Sequence, residues 1–249
     1  MEGRRAVAEL LVAGRRPVLD IWMARGLKPA PALDEIAKSA ERARVPLRMV
    51  SREQLAAEAA SHAPQGVLAH AHPLPEADLD DLLAGSGSAE ESQATFLVAV
   101  DGVTDPQNLG ALLRSAEAAG VSGAILPRHR STHVTPAVTK AAAGAVERVP
   151  MALVAGMPAA LARARERGCW VIGLAGDGSQ SLFGLDPGLT SQPVVVVVGA
   201  EGTGLSRLAR QRCDVVVRIP MEGAISSLNV AVAGAMALFE VRRQRQGAH

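Results

Sequence analysis

Between residues 4 and 71 the apolar positions change period repeatedly. RRAVAELLVAG (4–14) recurs at helical spacing and closes on a glycine, and VLDIWMA (18–24) reads as a strand. ALDEIAKSAERA (32–43) predicts a helix, PLRMV (46–50) a strand, REQLAAEAA (52–60) a helix and QGVLAHA (65–71) a strand. Helix and strand in alternation predict a small α/β module over residues 1–72. The pattern then lapses. Residues 73–95 hold Pro73, Pro75, the run GSGS and six acids (Glu76, Asp78, Asp80, Asp81, Glu90, Glu91), with no basic residue in 76–91. That composition predicts a solvated linker.

From residue 96 the alternation resumes at larger scale, predicting a second domain over 96–249. FLVAVDG (96–102), GAILP (123–127), CWVIGLA (169–175), PVVVVVG (193–199) and DVVVRIP (214–220) are short apolar strands. Asp105-Pro106 opens a helix whose Leu109, Leu112, Leu113 and Ala116 share one face and which Gly120 closes. Further helices are predicted at TPAVTKAAAGAV (135–146), PAALARARERG (158–168), LSRLARQR (205–212) and SSLNVAVAGAMALFEVRRQR (226–245). Strands apolar at every position, separated by helices, imply a parallel sheet covered on both faces. The fold class is α/β.

Composition narrows the function. A formal charge of +1 over 249 residues provides no global basic field, and five aromatics with no tyrosine make a base-stacking sheet a poor expectation. In residues 1–60, eleven Arg and Lys stand against eight Asp and Glu; Arg15 and Arg16, just past a helix end, are the candidates for RNA phosphate contact. Cys169 and Cys213 fit neither a metal spacing nor a disulfide framework and are expected to pack beside strands. The six histidines form no H-E-x-x-H, so no metal is expected. With no secretory signal and no apolar run of membrane-spanning length, a cytoplasmic protein without a membrane partner is expected.

Three stretches fall beyond the carboxyl ends of predicted strands, where open parallel sheets bind ligands: 101–115, 199–204 and 219–229. The loop GAEGTG lacks the Lys-Ser/Thr of a P-loop and the spacing of a dinucleotide fingerprint. Glu201 inside it would repel a phosphate, and so favours a neutral or cationic ligand or a neighbouring arginine. Arg114 faces away from the apolar stripe of its helix. Ser226 or Ser227 suits the N-cap of the last helix, and Asn229, ahead of an apolar run, requires a hydrogen-bonding partner.

Taken in order, these stretches resemble the motifs of the SpoU/TrmH family of SPOUT RNA ribose 2′-O-methyltransferases. The first is Asn108-Leu-Gly110-Ala-Leu-Leu-Arg114, the second Gly199-Ala-Glu201-Gly202-Thr-Gly204-Leu205, and the third Ile219-Pro220-Met221-Glu-Gly223 continuing to Ser227-Leu228-Asn229-Val230. The third departs from many relatives at Ala231, where they carry serine. The resemblance implies a SPOUT domain with a C-terminal deep trefoil knot, preceded by a ribosomal-protein-like substrate-binding domain that includes PQGVLA (64–69). It implies S-adenosylmethionine as cofactor, held by Gly199, Ala200, Ile219, Met221 and Leu228 largely through backbone groups, and a homodimer with its site near the subunit interface. Arg114 becomes the catalytic residue, with Asn108, Glu201, Ser227 and Asn229 arranged around it. The nearest pattern is that of bacterial enzymes acting on a guanosine of 23S ribosomal RNA. The motifs leave open a tRNA, a 23S adenosine as in thiopeptide resistance, or a silent RNA-binding protein.

Overall fold

The computed structural model describes residues 1–59, 64–85, 94–129, 134–223 and 227–247; Ser226, His62, His133, Glu90 and Glu91 lie outside that set. The N-terminal unit runs α1 (Arg4–Ala13), β1 (Val18–Ala24), α2 (Pro31–Arg42), β2 (Leu47–Val50), α3 (Arg52–Glu58) and β3 (Val67–Ala71). Its sheet has the order β2-β1-β3, with β2 parallel and β3 antiparallel to β1. Val7 and Leu10 of α1 and Leu33 and Ile36 of α2 bury one face against Ile21, Met23 and Val67. Leu55 of α3 covers part of the other with Ala24 and Leu68.

A short helix, α4 (Leu79–Ala84), follows, and then β4 (Phe96–Asp101), α5 (Pro106–Ala118), β5 (Gly123–Pro127), α6 (Pro136–Ala141), β6 (Met151–Val154) and α7 (Met157–Glu166). The chain continues through β7 (Trp170–Leu174), β8 (Gln180–Ser181), α8 (Pro187–Thr190), β9 (Val194–Gly199), α9 (Arg207–Arg210), β10 (Val215–Arg218) and α10 (Val230–Gly247). These strands form a parallel sheet of order β6-β5-β4-β9-β7-β10-β8. The valine run explains itself in this setting. Val194, Val196 and Val198 enter the core under α5 and α10, Val195 and Val197 the core under α7, and all are fully buried. A strand with two buried faces has no polar positions to show.

Four details differ from the sequence reading. Residues 73–85 are docked rather than solvated: Asp78 caps α4, Leu83 is buried, and the Ala77 N–H donates to the Met151 carbonyl at 2.9 Å. The acids of this stretch meet cations across the interface, Glu76 with Arg128 and Asp80 with Arg163 and Arg167. The helix predicted over 135–146 breaks after Ala141, because Ala143 (φ 50°) and Gly144 (φ 92°) turn left-handed before a 3₁₀ turn at Ala145–Glu147. A Cβ on Gly144 would stand 2.5 Å from the Cβ of Glu9, so the break lets this loop press onto α1. The strands β6 and β8 were unmarked in the pattern, and α10 starts at Val230, later than predicted. Cys169 is buried; the Cys213 thiol is pushed up to about 11, mainly by burial.

Candidate functional site

Each of the three motifs leaves its strand at the carboxyl end of the sheet. Asp101 ends β4 and pairs in register with Gly199 at the end of β9. Beyond Gly199 the loop folds back so tightly that a Cβ there would lie 2.1 Å from the backbone carbon of Gly204. The Ala200 N–H donates to the Gly204 carbonyl at 3.0 Å, and the Gly204 N–H returns a bond to the Ala200 carbonyl at 2.9 Å. Gly202 and Gly204 adopt φ of 78° and 67°, which glycine takes without strain. The Asp101 carboxylate accepts the Ser206 N–H at 2.8 Å and fixes where the loop ends. Asp101 was not singled out in the sequence; its signal is an acid closing an otherwise apolar strand.

This loop forms one wall of a cavity of about 580 Å³. Gly199, Ala200, Ile219, Met221 and Leu228 all line it, together with Glu201, Ser227 and Asn229. Leu174, Ala175 and Gly176 at the end of β7 add a fourth stretch, which the sequence marked only by a glycine after a strand. Among the described lining residues Glu201 is the one charged group. Such a wall offers nothing to a phosphate and suits an uncharged ring system carrying a cationic centre. S-adenosylmethionine is a group of that chemistry, and the exposed backbone of the glycine loop fits it.

Side chains knit the three motifs together. The Asn229 Oδ1 accepts the N–H groups of Ala231 at 2.9 Å and Val232 at 3.3 Å, which makes Asn229 the N-cap of α10. Ser227 does not fill that role. With Oδ1 so engaged, the Asn229 Nδ2 donates to Asn108 Oδ1 at 2.8 Å, and the Asn108 Nδ2 donates to Glu201 Oε1 at 2.7 Å. Backbone N–H groups at one end and a carboxylate at the other leave both amides a single orientation. The partner that Asn229 requires is therefore Asn108, and the partner of Glu201 is an amide rather than an arginine. Ala231 is buried, and its contribution is its backbone N–H. Gly110, between Asn108 and Arg114, sets α5 against α6: a Cβ would lie 2.4 Å from the Cβ of Ala141.

Arg114 stands apart. It is exposed on α5 and does not line the cavity; it lines a groove between α1, α2 and α5. Arg16 is equally separate from that cavity and is committed elsewhere. Its Nε and Nη2 donate to the carboxylate of Glu147, which is fully buried, and its Nη1 donates to the His72 carbonyl at 2.7 Å. Arg15 reaches the Glu147 carbonyl at 3.4 Å. Both arginines thus join the two domains, and Arg16 has spent its donors there instead of keeping them for phosphate.

Comparison with known proteins follows the same division. A family model described as SpoU rRNA Methylase family matches residues 95–239, and one described as RNA 2′-O ribose methyltransferase substrate binding matches residues 1–77. The chain is 39% identical over 247 residues to the 23S rRNA (guanosine-2′-O-)-methyltransferase RlmB of Shewanella oneidensis, covering 98% of this chain and 96% of that protein. It is 40% identical over 248 residues to the enzyme of that name from Pseudomonas putida, again covering 98% and 96%. The crystal structure of the SpoU methyltransferase AviRb from Streptomyces viridochromogenes in complex with AdoMet superposes with a TM-score of 0.79 at 26% identity, covering 99% of this chain and 90% of that one.

Proposed function

The chain belongs to the SpoU rRNA methylase family, and from that premise we propose that it is an S-adenosylmethionine-dependent methyltransferase acting on the ribose 2′-OH of a guanosine in 23S ribosomal RNA. The observation that carries this reading is the Asn229–Asn108–Glu201 chain at the wall of a cavity with a single carboxylate and no cation among its described lining residues. Near-complete alignment with two 23S guanosine enzymes, substrate-binding domain included, favours that RNA over a tRNA. The cofactor, when bound, supplies an electrophilic methyl on a positive sulfonium.

This chain's residues supply placement and charge. The backbone of 199–204 and the apolar side chains of Ile219, Met221 and Leu228 hold the cofactor, and Glu201 offers a carboxylate to its cationic end. Asn108 fixes that carboxylate, and Asn229 fixes Asn108 while tying both to the start of α10. Ser227, exposed at the cavity wall, faces the space where a ribose hydroxyl enters. The proton of the 2′-OH passes to solvent water, and the positive charge of Arg114 stabilises the negative charge that develops on the 2′-oxygen and the phosphate beside it.

Arg114 does not line the cavity of its own chain, which favours a site completed in a homodimer. Val232 and Phe239, seven residues apart and so on one face of α10, are 50% and 47% exposed, an apolar pair suited to a second copy. A C-terminal trefoil knot belongs to the same reading. It is supported by β10 lying between β7 and β8, two strands consecutive in the chain. Gly178, between those two strands in sequence, leaves no room for a Cβ against Val217 and Arg218. Among the described residues no helix is long and apolar enough to cross a membrane, and we place the enzyme in the cytoplasm with its ribosomal substrate.

Mapping 2′-O-methyl groups on ribosomal RNA and tRNA from cells with and without the gene tests the substrate. A 23S guanosine that loses its methyl supports the reading, and loss confined to tRNA overturns it. Arg114→Ala should abolish methylation while changing cofactor affinity little by calorimetry, and full activity in that variant would sink the role given to Arg114.

A further inference from the structure

The two domains meet in a joint fixed by ion pairs and close packing. Glu147 is fully buried beneath Arg16, Arg148 pairs with both Glu9 of α1 and Glu117 of α5, and Gly144 presses against the Glu9 side chain. Beside this joint α1 and α2 on one side and α5 on the other enclose a groove of about 510 Å³. Its width is set by contacts that do not depend on any ligand.

The charges in the groove differ in their partners. Arg148, Glu9 and Glu117 are satisfied by one another, and the Arg4 Nε donates to the Gln65 carbonyl at 3.2 Å. Arg5 and Arg114, one from each domain, are exposed and make no ion pair or side-chain hydrogen bond with any described residue. They remain unpaired although Glu35 lines the same groove. Arg5 also lies off the buried face of α1 formed by Ala6, Val7 and Leu10, so core packing does not account for it. Two guanidinium groups without a partner among the described residues, one on the α1 side and one on the α5 side of a single groove, suit the phosphates of a nucleic-acid strand.

Resting on the methyltransferase reading above, we propose that this groove seats the RNA strand that carries the target nucleotide, with Arg5 contacting a backbone phosphate near the one beside Arg114. The strand then runs from the N-terminal domain directly past Arg114. The joint keeps the two contacts at constant spacing, and Glu35 is the unfavourable element on that path.

Binding of a 23S ribosomal RNA fragment that the wild-type enzyme methylates, measured over a series of KCl concentrations, tests this. Arg5→Ala should lower the slope of log affinity against log salt by about one phosphate contact, and Arg5→Glu should weaken binding by roughly tenfold at moderate salt. Glu35→Gln should tighten it, Arg163→Ala on α7, which packs on the opposite face of the sheet from α5, should leave it unchanged, and all four variants should titrate S-adenosylmethionine as wild type does. Arg5→Glu binding the fragment with wild-type affinity and salt slope overturns the groove as the RNA seat. The function reading fails separately: if wild type methylates no ribosomal RNA, the same binding series is run on total cellular RNA, and there too the Arg5 and Glu35 variants decide the groove.

Discussion

The cavity at the ends of β7 and β9 and the groove between α1, α2 and α5 are built from different materials. The first is walled by backbone, glycine and apolar side chains around one carboxylate, the second by four arginines and three glutamates. Recognition by backbone depends on how closely two chain segments approach, so an added atom destroys it. Recognition by long charged side chains tolerates added atoms and fails when a charge is removed or reversed. The two regions therefore call for opposite kinds of substitution.

The largest effect is expected from adding atoms to the cavity wall. Gly199→Val places side-chain carbon where even a Cβ would stand 2.1 Å from the Gly204 backbone, and backbone cannot move aside as a flexible side chain does. Overpacking of this kind costs up to about 3 kcal/mol at ordinary sites and more against backbone. Calorimetry should detect no cofactor binding, while the fold, resting on the buried strands to either side, persists by circular dichroism. Retained cofactor affinity would mean that the doubled-back loop is not what shapes the site.

The same contrast explains what was legible before the structure. A doubled-back loop leaves a compact signature, glycines and an acid just after an apolar strand, and the family motifs named Gly199, Ala200, Ile219, Met221 and Leu228, which line one cavity. The chemistry of Glu201 in that loop already argued against a phosphate. The Asn229–Asn108 bond spans 121 residues and the Arg16–Glu147 pair 131, and no periodicity encodes contacts of that range. Arg16 looked like a phosphate ligand because an arginine after a helix end reads the same whether it meets RNA or a buried glutamate. Likewise, Pro, Ser and acids suggested a solvated linker, but Asp78, Leu83 and Asp80 are a cap, an anchor and an ion-pair partner once Arg163 is beside them.

Removing charge at the joint should produce the next largest effect, of a different kind. Glu147→Ala leaves the Arg16 guanidinium, 12% exposed, without its carboxylate. Breaking a buried pair from one side costs about 3 kcal/mol or more. Urea unfolding should show that loss, with cofactor affinity within about twofold of wild type because the pair is remote from the cavity. A matching fall in cofactor affinity would show that the joint and the cavity are one cooperative unit, and the comparison would collapse.

The smallest effect lies at the docked segment, where the charges are exposed and a surface ion pair contributes little. A hydrogen bond from Arg163 holds the Asp80 carboxyl below the ordinary carboxylate range, with the charges of Arg163 and Arg167 acting in the same direction, and Arg128 does the same for Glu76. A carboxyl whose folded pKa is depressed contributes stability that is fully present above its unfolded value, about 4, and is lost as pH falls through the folded one. Wild type should therefore exceed Asp80→Asn slightly in stability at neutral pH, and the two should converge as the solution is acidified below about pH 4. Parallel urea titrations between neutral pH and about pH 3 measure that convergence. A gap that stays constant to the acid end would show that Asp80 acts through the geometry of the first turn of α4 and not through its charge. The segment would then resemble the cavity, held by shape, more than the charged groove.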